Sequence, residues 1–482
     1  MGDPSVEGNG DRSKPPVLDE VRRRGHEAAG ELLDRWFAAS DGDGETGARP
    51  NPRASGRRAP GPAGDLGPTG TLEDIVEAWA EVTRLGIDVI VAGATRAGAP
   101  GGDGGRAVAG DGAIDATPDG THTRRLDATA AGPSADTATR PTPEMVDDHL
   151  RAVGRRVRRG MLAAVPDAEP HDWLYRLVRA YPSRPAKAIR PTLCLATCRA
   201  FGGTDDDAFG AAVAIELLHN AFLVHDDIAD GSERRRGRQT LRAEYGTGLA
   251  LNAGDATAVL ANQVLRRHAQ RLDDTLGERL LDEFDTMALR TLEGQAMELG
   301  WQRDAVADLQ PEDYLHLILR KTCWYTTIHP LRVGALLGSQ GHANLTPLVR
   351  FGFHLGASFQ IQDDLLNLVG DESLYGKEIN GDLREGKRTL VLIHLASRAT
   401  GLDRGAVDRY LRLRPAERTP AVIAEIRALI DAYGSIEFTR AYGEGIARSA
   451  SDAFEAAFAD AEPGPDTALV RALVPYMLGR TR

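Results

Sequence analysis

From about Pro143 to Arg482 the sequence is one long succession of helix-periodic stretches. Ala, Leu, Val and Ile recur three and four residues apart, and Gly, Pro and Asp punctuate the pattern. Alternating β-branched runs are scarce and no fixed-period repeat is present. About 340 residues of this kind predict a single large all-α domain whose helices bury apolar faces against one another. Two aspartate-rich segments are set into this apolar text. The first, Asp226-Asp227-Ile228-Ala229-Asp230, runs into Arg234-Arg235-Arg236. The second, Asp363-Asp364-Leu365-Leu366-Asn367, is followed by Lys377 and Lys387. On a helix Asp226 and Asp230 project side by side, as do Asp363 and Asn367. Acidic groups packed so closely are unfavourable unless something positive bridges them. Hard divalent cations such as Mg²⁺ take oxygen ligands and share them with substrate phosphates. One such segment alone is equally well explained as a solvated acidic helix face. Two of them, each in apolar helical text with cations downstream, predict an enzyme that handles Mg²⁺ and diphosphate.

Charge and cysteine usage narrow the class further. A net charge of −12 argues against a general nucleic-acid binder, because phosphate backbones select basic surfaces. Three cysteines, Cys194, Cys198 and Cys323, do not make a disulfide framework, which fits a reducing cytoplasm. Cys194 and Cys198 lack partners at zinc-site spacing and read as buried thiols. The N-terminus has no basic-then-apolar signal pattern. No stretch reaches the ~20 apolar residues that span a bilayer, so the expectation is a soluble protein without a transmembrane segment. Lysine is rare: of 58 basic residues only Lys14, Lys187, Lys321, Lys377 and Lys387 are lysines. An ammonium is a compact point charge and a guanidinium a planar fork, so these few positions are candidates for geometry-dependent roles.

Residues 1 to 142 read differently. Residues 98–142 are Gly, Ala, Asp, Thr and Pro with almost no large apolar side chains, and predict a disordered linker. Residues 1–97 form an extension with two candidate helices. One carries Val17, Val21, Ala28, Leu32, Leu33, Trp36 and Phe37, and the other Leu72, Ile75, Val76, Trp79, Val82 and Leu85. They either pair as a hairpin or dock on the domain that spans residues 143–482.

In chain order, the polar residues of that domain spell a recognisable set. Ala186-Lys187-Ala188-Ile189-Arg190-Pro191 is followed by Glu216-Leu217-Leu218-His219 and His225-Asp226-Asp227-Ile228-Ala229-Asp230. Arg234 to Gly237, Lys321-Thr322 and Phe359-Gln360-Ile361-Gln362-Asp363-Asp364 come next, then Gly376-Lys377, Gly381-Asp382 and Gly386-Lys387-Arg388-Thr389. This resembles the trans-isoprenyl diphosphate synthases of the geranylgeranyl and farnesyl diphosphate synthase type, over roughly residues 143–482. The resemblance implies a helical bundle of the isoprenoid synthase type, a homodimer, and head-to-tail condensation of isopentenyl diphosphate with an allylic diphosphate.

It also implies roles. Asp226, Asp227 and Asp230 look like the first motif, which binds the allylic diphosphate through Mg²⁺. Asp363 and Asp364, with the carbonyl oxygen of Asn367, look like the second, completing a cluster of three ions. Lys321, Lys377, Lys387 and Arg235 look like the cations on the allylic diphosphate. Lys187, Arg190, His219 and Arg236 look like the pocket for the diphosphate of isopentenyl diphosphate. Thr322 and Gln360 look like the polar groups beside the carbocation. Four of the five lysines thus fall on family active-site positions. Two departures stand out: Ala188 replaces a cation common in the family, and Asn367 replaces an aspartate. His225 and Arg234 read as structural and surface residues.

The chemistry asks for such a set independently. Ionising an allylic diphosphate creates pyrophosphate beside a carbocation, and preorganised cations where the negative charge develops lower the barrier. No protein nucleophile is required. In the family the growing chain runs along the first-motif helix, and the side chains four and five residues before Asp226 form its floor. Here these are Phe222 and Ala221, one bulky and one small, which points to the C20 product, with farnesyl or longer polyprenyl products as alternatives. A class I terpene cyclase normally pairs its aspartates with an Asn/Ser/Glu triad that is missing here. A non-catalytic synthase subunit typically loses aspartates that this chain keeps.

Overall fold

The computed structural model describes residues 16–40, 141–370 and 379–478, all within one compact unit. The candidate helix over 72–85, residues 98–140 of the expected linker, and Lys377 lie outside the described residues. The described chain is a helical bundle, as the periodicity predicts. Among the described residues the strand content is one ladder, Arg234–Arg235 (β1) against Arg238–Gln239 (β2).

The helices that frame the site are α1 (Pro16–Ser40), α2 (Pro143–Ala164), α3 (Ile189–Ala200), α4 (Asp205–Ala229), α5 (Leu241–Ala269), α6 (Asp274–Arg303) and α7 (Pro311–Ile318). A π-helical segment, Leu319–Ile328, continues α7 into α8 (His329–Gly338). Then come α9 (Thr346–Val369) and, near the end, α10 (Ser435–Ala457) and α11 (Pro465–Leu478). Their starts carry the expected caps. The Thr142 hydroxyl accepts from the Met145 amide and Thr240 accepts from Ala243, while Thr204 and Asp207 form a reciprocal capping box on α4, which satisfies amides that have no helical partner.

Helix α4 is the axis of the bundle. Ala208, Ala211, Ala212, Val213, Ala214, Ile215, Leu217 and Ala221 are buried along it, and α3 and α5 pack against it. Its run of small residues lets those neighbours come close. Contrary to the sequence expectation, α4 is long and apolar enough to cross a bilayer. Glu216 is the one acidic residue in its middle, the others stand at its two ends, and 72% of the apolar window is buried within the bundle.

Helix α1 docks on α10 and α7. Ala29, Leu32 and Leu33 are fully buried, and each leucine contributes roughly 1.5–3 kcal/mol of burial. A Cβ on Gly25 would stand 3.2 Å from Tyr442 Cα, and one on Gly445 would stand 3.1 Å from Arg22 Cα. The two helices therefore cross through a glycine on each side, at a separation that excludes larger residues. Arg22 bridges to Glu444 of α10 at 2.8 Å, and Arg350 of α9 bridges to Asp34 at 2.5 Å. Trp36 packs against Trp324 of the π-helical segment, with centroids 5.9 Å apart.

Candidate active site

A cavity of about 1150 Å³ opens between α2, α3, α4, the π-helical segment and α9. Each wall is a helical stripe. Helix α4 contributes Glu216, His219, Leu223, Asp226 and Asp230, spaced three and four apart so that they share one face. The segment after α7 contributes Lys321, Thr322 and Tyr325, and α9 contributes Phe359, Gln360, Asp363 and Asp364. The two aspartate-rich motifs, from opposite ends of the domain, therefore face one space.

The π-helical segment depends on a glycine. A Cβ on Gly294 of α6 would lie 2.6 Å from Lys321 Cα, so α6 reaches this cavity wall only with glycine there. One turn along α6, Glu298 forms an ion pair with the Lys321 ammonium. Burial disfavours the Lys321 charge, but Glu298 and then Asp226 more than reverse this and hold the ammonium firmly protonated. Beside it runs a chain of hydrogen bonds. The Thr322 hydroxyl donates to Gln360 Oε1 at 3.0 Å, and Gln360 Nε2 donates to Asp364 Oδ1 at 2.7 Å. The Tyr314 hydroxyl donates to Asp364 Oδ2 at 2.7 Å. Burial, followed by the like charge of Asp382, pushes the Asp364 carboxyl up to about 8.

The cationic side is assembled from turns. Arg236 and Gly237 both adopt positive φ, 52° and 75°, which closes the β1–β2 hairpin tightly. Arg184 pins that hairpin by donating to the carbonyls of Arg235 at 3.0 Å and Gln239 at 2.6 Å. Arg236 and Arg235 line the cavity, as do Lys187 and Arg190 at the start of α3. Burial raises the Glu216 carboxyl among them, against the pull of Arg190 and Arg236. Lys387 returns from the other end of the domain, its Nζ 2.9 Å from Asp230 and 2.6 Å from Glu385. Burial alone would raise Asp230, but Lys387 beside it keeps that carboxyl below its usual range.

Several sequence-predicted residues stand elsewhere. Asp227 is buried and faces away from the cavity: it pairs with Arg235, whose Nε and Nη2 lie 2.7 and 2.6 Å from Oδ1, and accepts from the Tyr181 hydroxyl. One residue along a helix turns the side chain by about 100°, enough to carry Asp227 off the stripe of Asp226. Its place is to hold Arg235 rather than to face a metal. Asn367 is likewise committed: its Oδ1 accepts from the Asp382 amide at 3.0 Å and its backbone carbonyl from Asn380 at 2.8 Å. It ties down the return of the chain after α9. Ala221 and Phe222 do not reach the wall: Ala221 is fully buried, and Phe222 meets the cavity-lining Tyr325 edge-on at 5.9 Å. His225 lies 3.1 Å from Asp255 and Arg234 is exposed, both as expected. The three cysteines are free and buried.

The sequence assigns no role to Glu216, although it belongs to the Glu216-Leu217-Leu218-His219 motif, and does not single out Glu298, Tyr314 or Tyr325. Two of these had a legible signal. Glu216 is on the stripe that spacing back from Asp226 defines, and Tyr325 follows Lys321 by one turn.

The acidic wall suits a divalent cation in donor type and position. Asp226, Asp230, Asp363 and Asp364 offer hard oxygen donors into one cavity. They are not a finished cage. Among the described residues no three His, Cys, Asp or Glu side chains converge on a metal position, and Lys387 sits against Asp230. That matches an ion which keeps water and phosphate in its shell.

Known proteins share the family and the fold of this chain. A family model for polyprenyl synthetases matches residues 171–429. A short chain isoprenyl diphosphate synthase of Methanothermobacter thermautotrophicus is 30% identical over 310 residues, covering 64% of this chain and 92% of that enzyme. The crystal structure of geranylgeranyl pyrophosphate synthetase from Pyrococcus horikoshii superposes with a TM-score of 0.62 at 27% identity, covering 70% of this chain and 99% of that one. Geranylgeranyl pyrophosphate synthase from Corynebacterium glutamicum, solved with isoprenyl diphosphate and magnesium, superposes with a TM-score of 0.59 at 26% identity, covering 70% and 98%.

Proposed function

This chain belongs to the polyprenyl synthetase family and is a prenyltransferase, and from that premise we propose that it condenses isopentenyl diphosphate with an allylic diphosphate to give geranylgeranyl diphosphate. The observation that carries the reading is the single cavity shared by both aspartate-rich motifs and by Lys187, Arg190, Arg235, Arg236, Lys321 and Lys387.

Asp226, Asp230, Asp363 and Asp364 would hold the Mg²⁺ ions, three in number. When bound, these ions supply positive charge to the departing pyrophosphate. Lys321 and Lys387, each kept charged by a neighbouring carboxylate, face the allylic diphosphate, with Arg235 beside them held by Asp227. Lys377 keeps the same role on sequence grounds alone. Lys187, Arg190, His219 and Arg236 receive the diphosphate of isopentenyl diphosphate. The Thr322 hydroxyl donates its hydrogen bond to Gln360 Oε1, which leaves its lone pairs free to stabilise an allylic cation in the cavity. The allylic C–O bond breaks, the double bond of isopentenyl diphosphate attacks the cation, and pyrophosphate takes the proton lost in forming the new double bond.

The solved relatives from Pyrococcus and Corynebacterium are geranylgeranyl synthases by name, which supports a C20 product. The purified full chain, given Mg²⁺, isopentenyl diphosphate and each allylic primer in turn, is expected to yield alcohols of geranylgeraniol length after dephosphorylation. No elongation with any primer would refute the activity, and a dominant C15 or longer product would refute the product assignment.

A homodimer is part of the same reading. Leu289 and Leu292 on α6 are 55% and 54% exposed, and Leu249, Val259 and Leu299 extend the apolar surface over adjacent α5 and α6. Such a surface on a bundle of this kind suits a second copy. The wild type is expected to sediment as a dimer and a Leu289→Glu/Leu292→Glu double variant as a monomer; a monomeric wild type would remove the proposal. Three buried free thiols and a net charge of −12 support a cytoplasmic enzyme.

A further inference from the structure

Beyond Lys187 and Arg190 the cavity continues to α2, whose Asp147, Leu150 and Arg151 line it. A close approach fixes which face of α2 is turned to the site. A Cβ on Gly154 would stand 3.2 Å from Ala188 Cβ and 3.6 Å from the Ala186 carbonyl oxygen, so this glycine lies against the turn that carries Lys187. Arg151 precedes Gly154 by three residues and therefore shares its face, one helical turn from that loop. Ala188 brings no charge of its own there. It is buried, at a φ of 55°, with its methyl against α2.

This end of the cavity has use for another cation. Arg190 is already engaged: its guanidinium lies 4.4 Å from the Tyr325 ring centroid, and its Nη2 donates to the Thr326 hydroxyl at 3.0 Å. Glu216 lines the same space at 3% exposure, and its Oε2 has no hydrogen-bond partner among the described residues. When ionised, that carboxyl offsets part of the charge of Arg190 and Arg236, the two cations that act on it. Asp147 adds a second acid, which accepts from the Tyr476 hydroxyl of α11.

Arg151 is placed to answer that need at little cost. Its side chain is 58% exposed and pairs with Asp148 at 2.7 Å, three residues back on the same helix, with Asp147 3.8 Å away. Exposed pairs of this kind contribute little, whereas a guanidinium giving two parallel N–H bonds to a phosphate makes a stronger contact. Resting on the reading of the isopentenyl diphosphate pocket above, we propose that Arg151 of α2 is a further binding residue of that pocket, turning from Asp148 to the diphosphate as the substrate enters. Helix α2 then takes part in recognising the substrate as well as in closing the bundle.

The test compares the steady-state kinetics of Arg151→Gln, Arg151→Lys and Arg155→Gln as full-length protein. Arg151→Gln is expected to raise KM for isopentenyl diphosphate about tenfold, the loss of one charge-assisted contact. Its kcat and its KM for the allylic primer should stay at wild-type values. Arg151→Lys keeps the charge without the fork and is expected to recover part of the loss. Arg155 is exposed on α2 outside the cavity lining, so Arg155→Gln should leave every constant unchanged. An unchanged KM in Arg151→Gln, or a loss that falls on kcat or on the allylic primer, would overturn the assignment. So would a lysine variant no better than the glutamine one, or an equal rise in Arg155→Gln, which would reduce the effect to the general field of the helix. A wild type that elongates no primer would instead sink the functional reading beneath it, so the two failures are distinct.

Discussion

Replacing Asp226 or Asp363 with alanine is expected to lower kcat by roughly 10²–10³-fold or more while leaving the fold intact, since removing one preorganised charge from a developing ionic transition state has effects of this size. Both carboxylates line the cavity, and both are partly solvated rather than sealed in the core. Losing either leaves no unpaired charge in the protein interior, so the unfolding midpoint should stay close to that of the wild type. Turnover suffers because each carboxylate faces the space where pyrophosphate separates from the carbocation. Steady-state assays with an allylic primer, paired with urea unfolding, check both halves. A variant at either position that elongates at the wild-type rate would break the link between the acidic walls and the chemistry.

Asp227→Ala should behave in the opposite way. Asp227 is buried, and its partner Arg235 has a side chain only 12% exposed. Removing one member of a buried pair leaves the other uncompensated, at a cost of about 3–5 kcal/mol. Burial disfavours the Arg235 charge and Asp227 overcomes this, so the arginine cannot become neutral to escape the penalty. The Tyr181 hydroxyl loses its acceptor as well. The expected result is a large fall in the urea midpoint with an unchanged slope, accompanied by weaker binding of the allylic substrate as Arg235 loses its orientation. If Asp227→Ala instead keeps wild-type stability and shows the activity loss of Asp226→Ala, then Asp227 is a ligand and its buried pairing is misread. Neighbouring aspartates in one motif are thus separated by which measurement each of them moves.

The bundle and the two facing acidic motifs were legible because helical periodicity and the i, i+4 spacing of carboxylates are local properties. Asp226 with Asp230 can be placed on one face from the sequence alone. Whether Asp227 joins them depends on Tyr181 and Arg235, which arrive from a preceding helix and a following hairpin, and no local pattern reveals that arrangement. Asn367 was read as a carbonyl donor for the same reason: its spacing from Asp363 is right, but the chain between Asn380 and Asp382 returns to claim its oxygens. The stripe through Glu216, His219, Leu223 and Asp226 lines the cavity and leaves Phe222 at its flank, a matter of how α4 is rolled against its neighbours rather than of local spacing. Lys321 was found from lysine scarcity, whereas its partner Glu298 was not, because Glu298 lies on another helix in a chain rich in acidic residues.

The seam between α1 and α10 makes residues 16–40 a wall of the enzyme rather than a leader ahead of it. Although 102 residues separate α1 from α2, Leu32 and Leu33 are sealed in the core and Trp36 meets Trp324, three residues beyond Lys321. Trimming the protein to residues 143–482 would strip that helix and expose the apolar faces of α10 and α7 on which it docks. The minimal folding unit of this enzyme is therefore discontinuous in sequence, and a shortened version is better made by excising the intervening stretch than by cutting from the front.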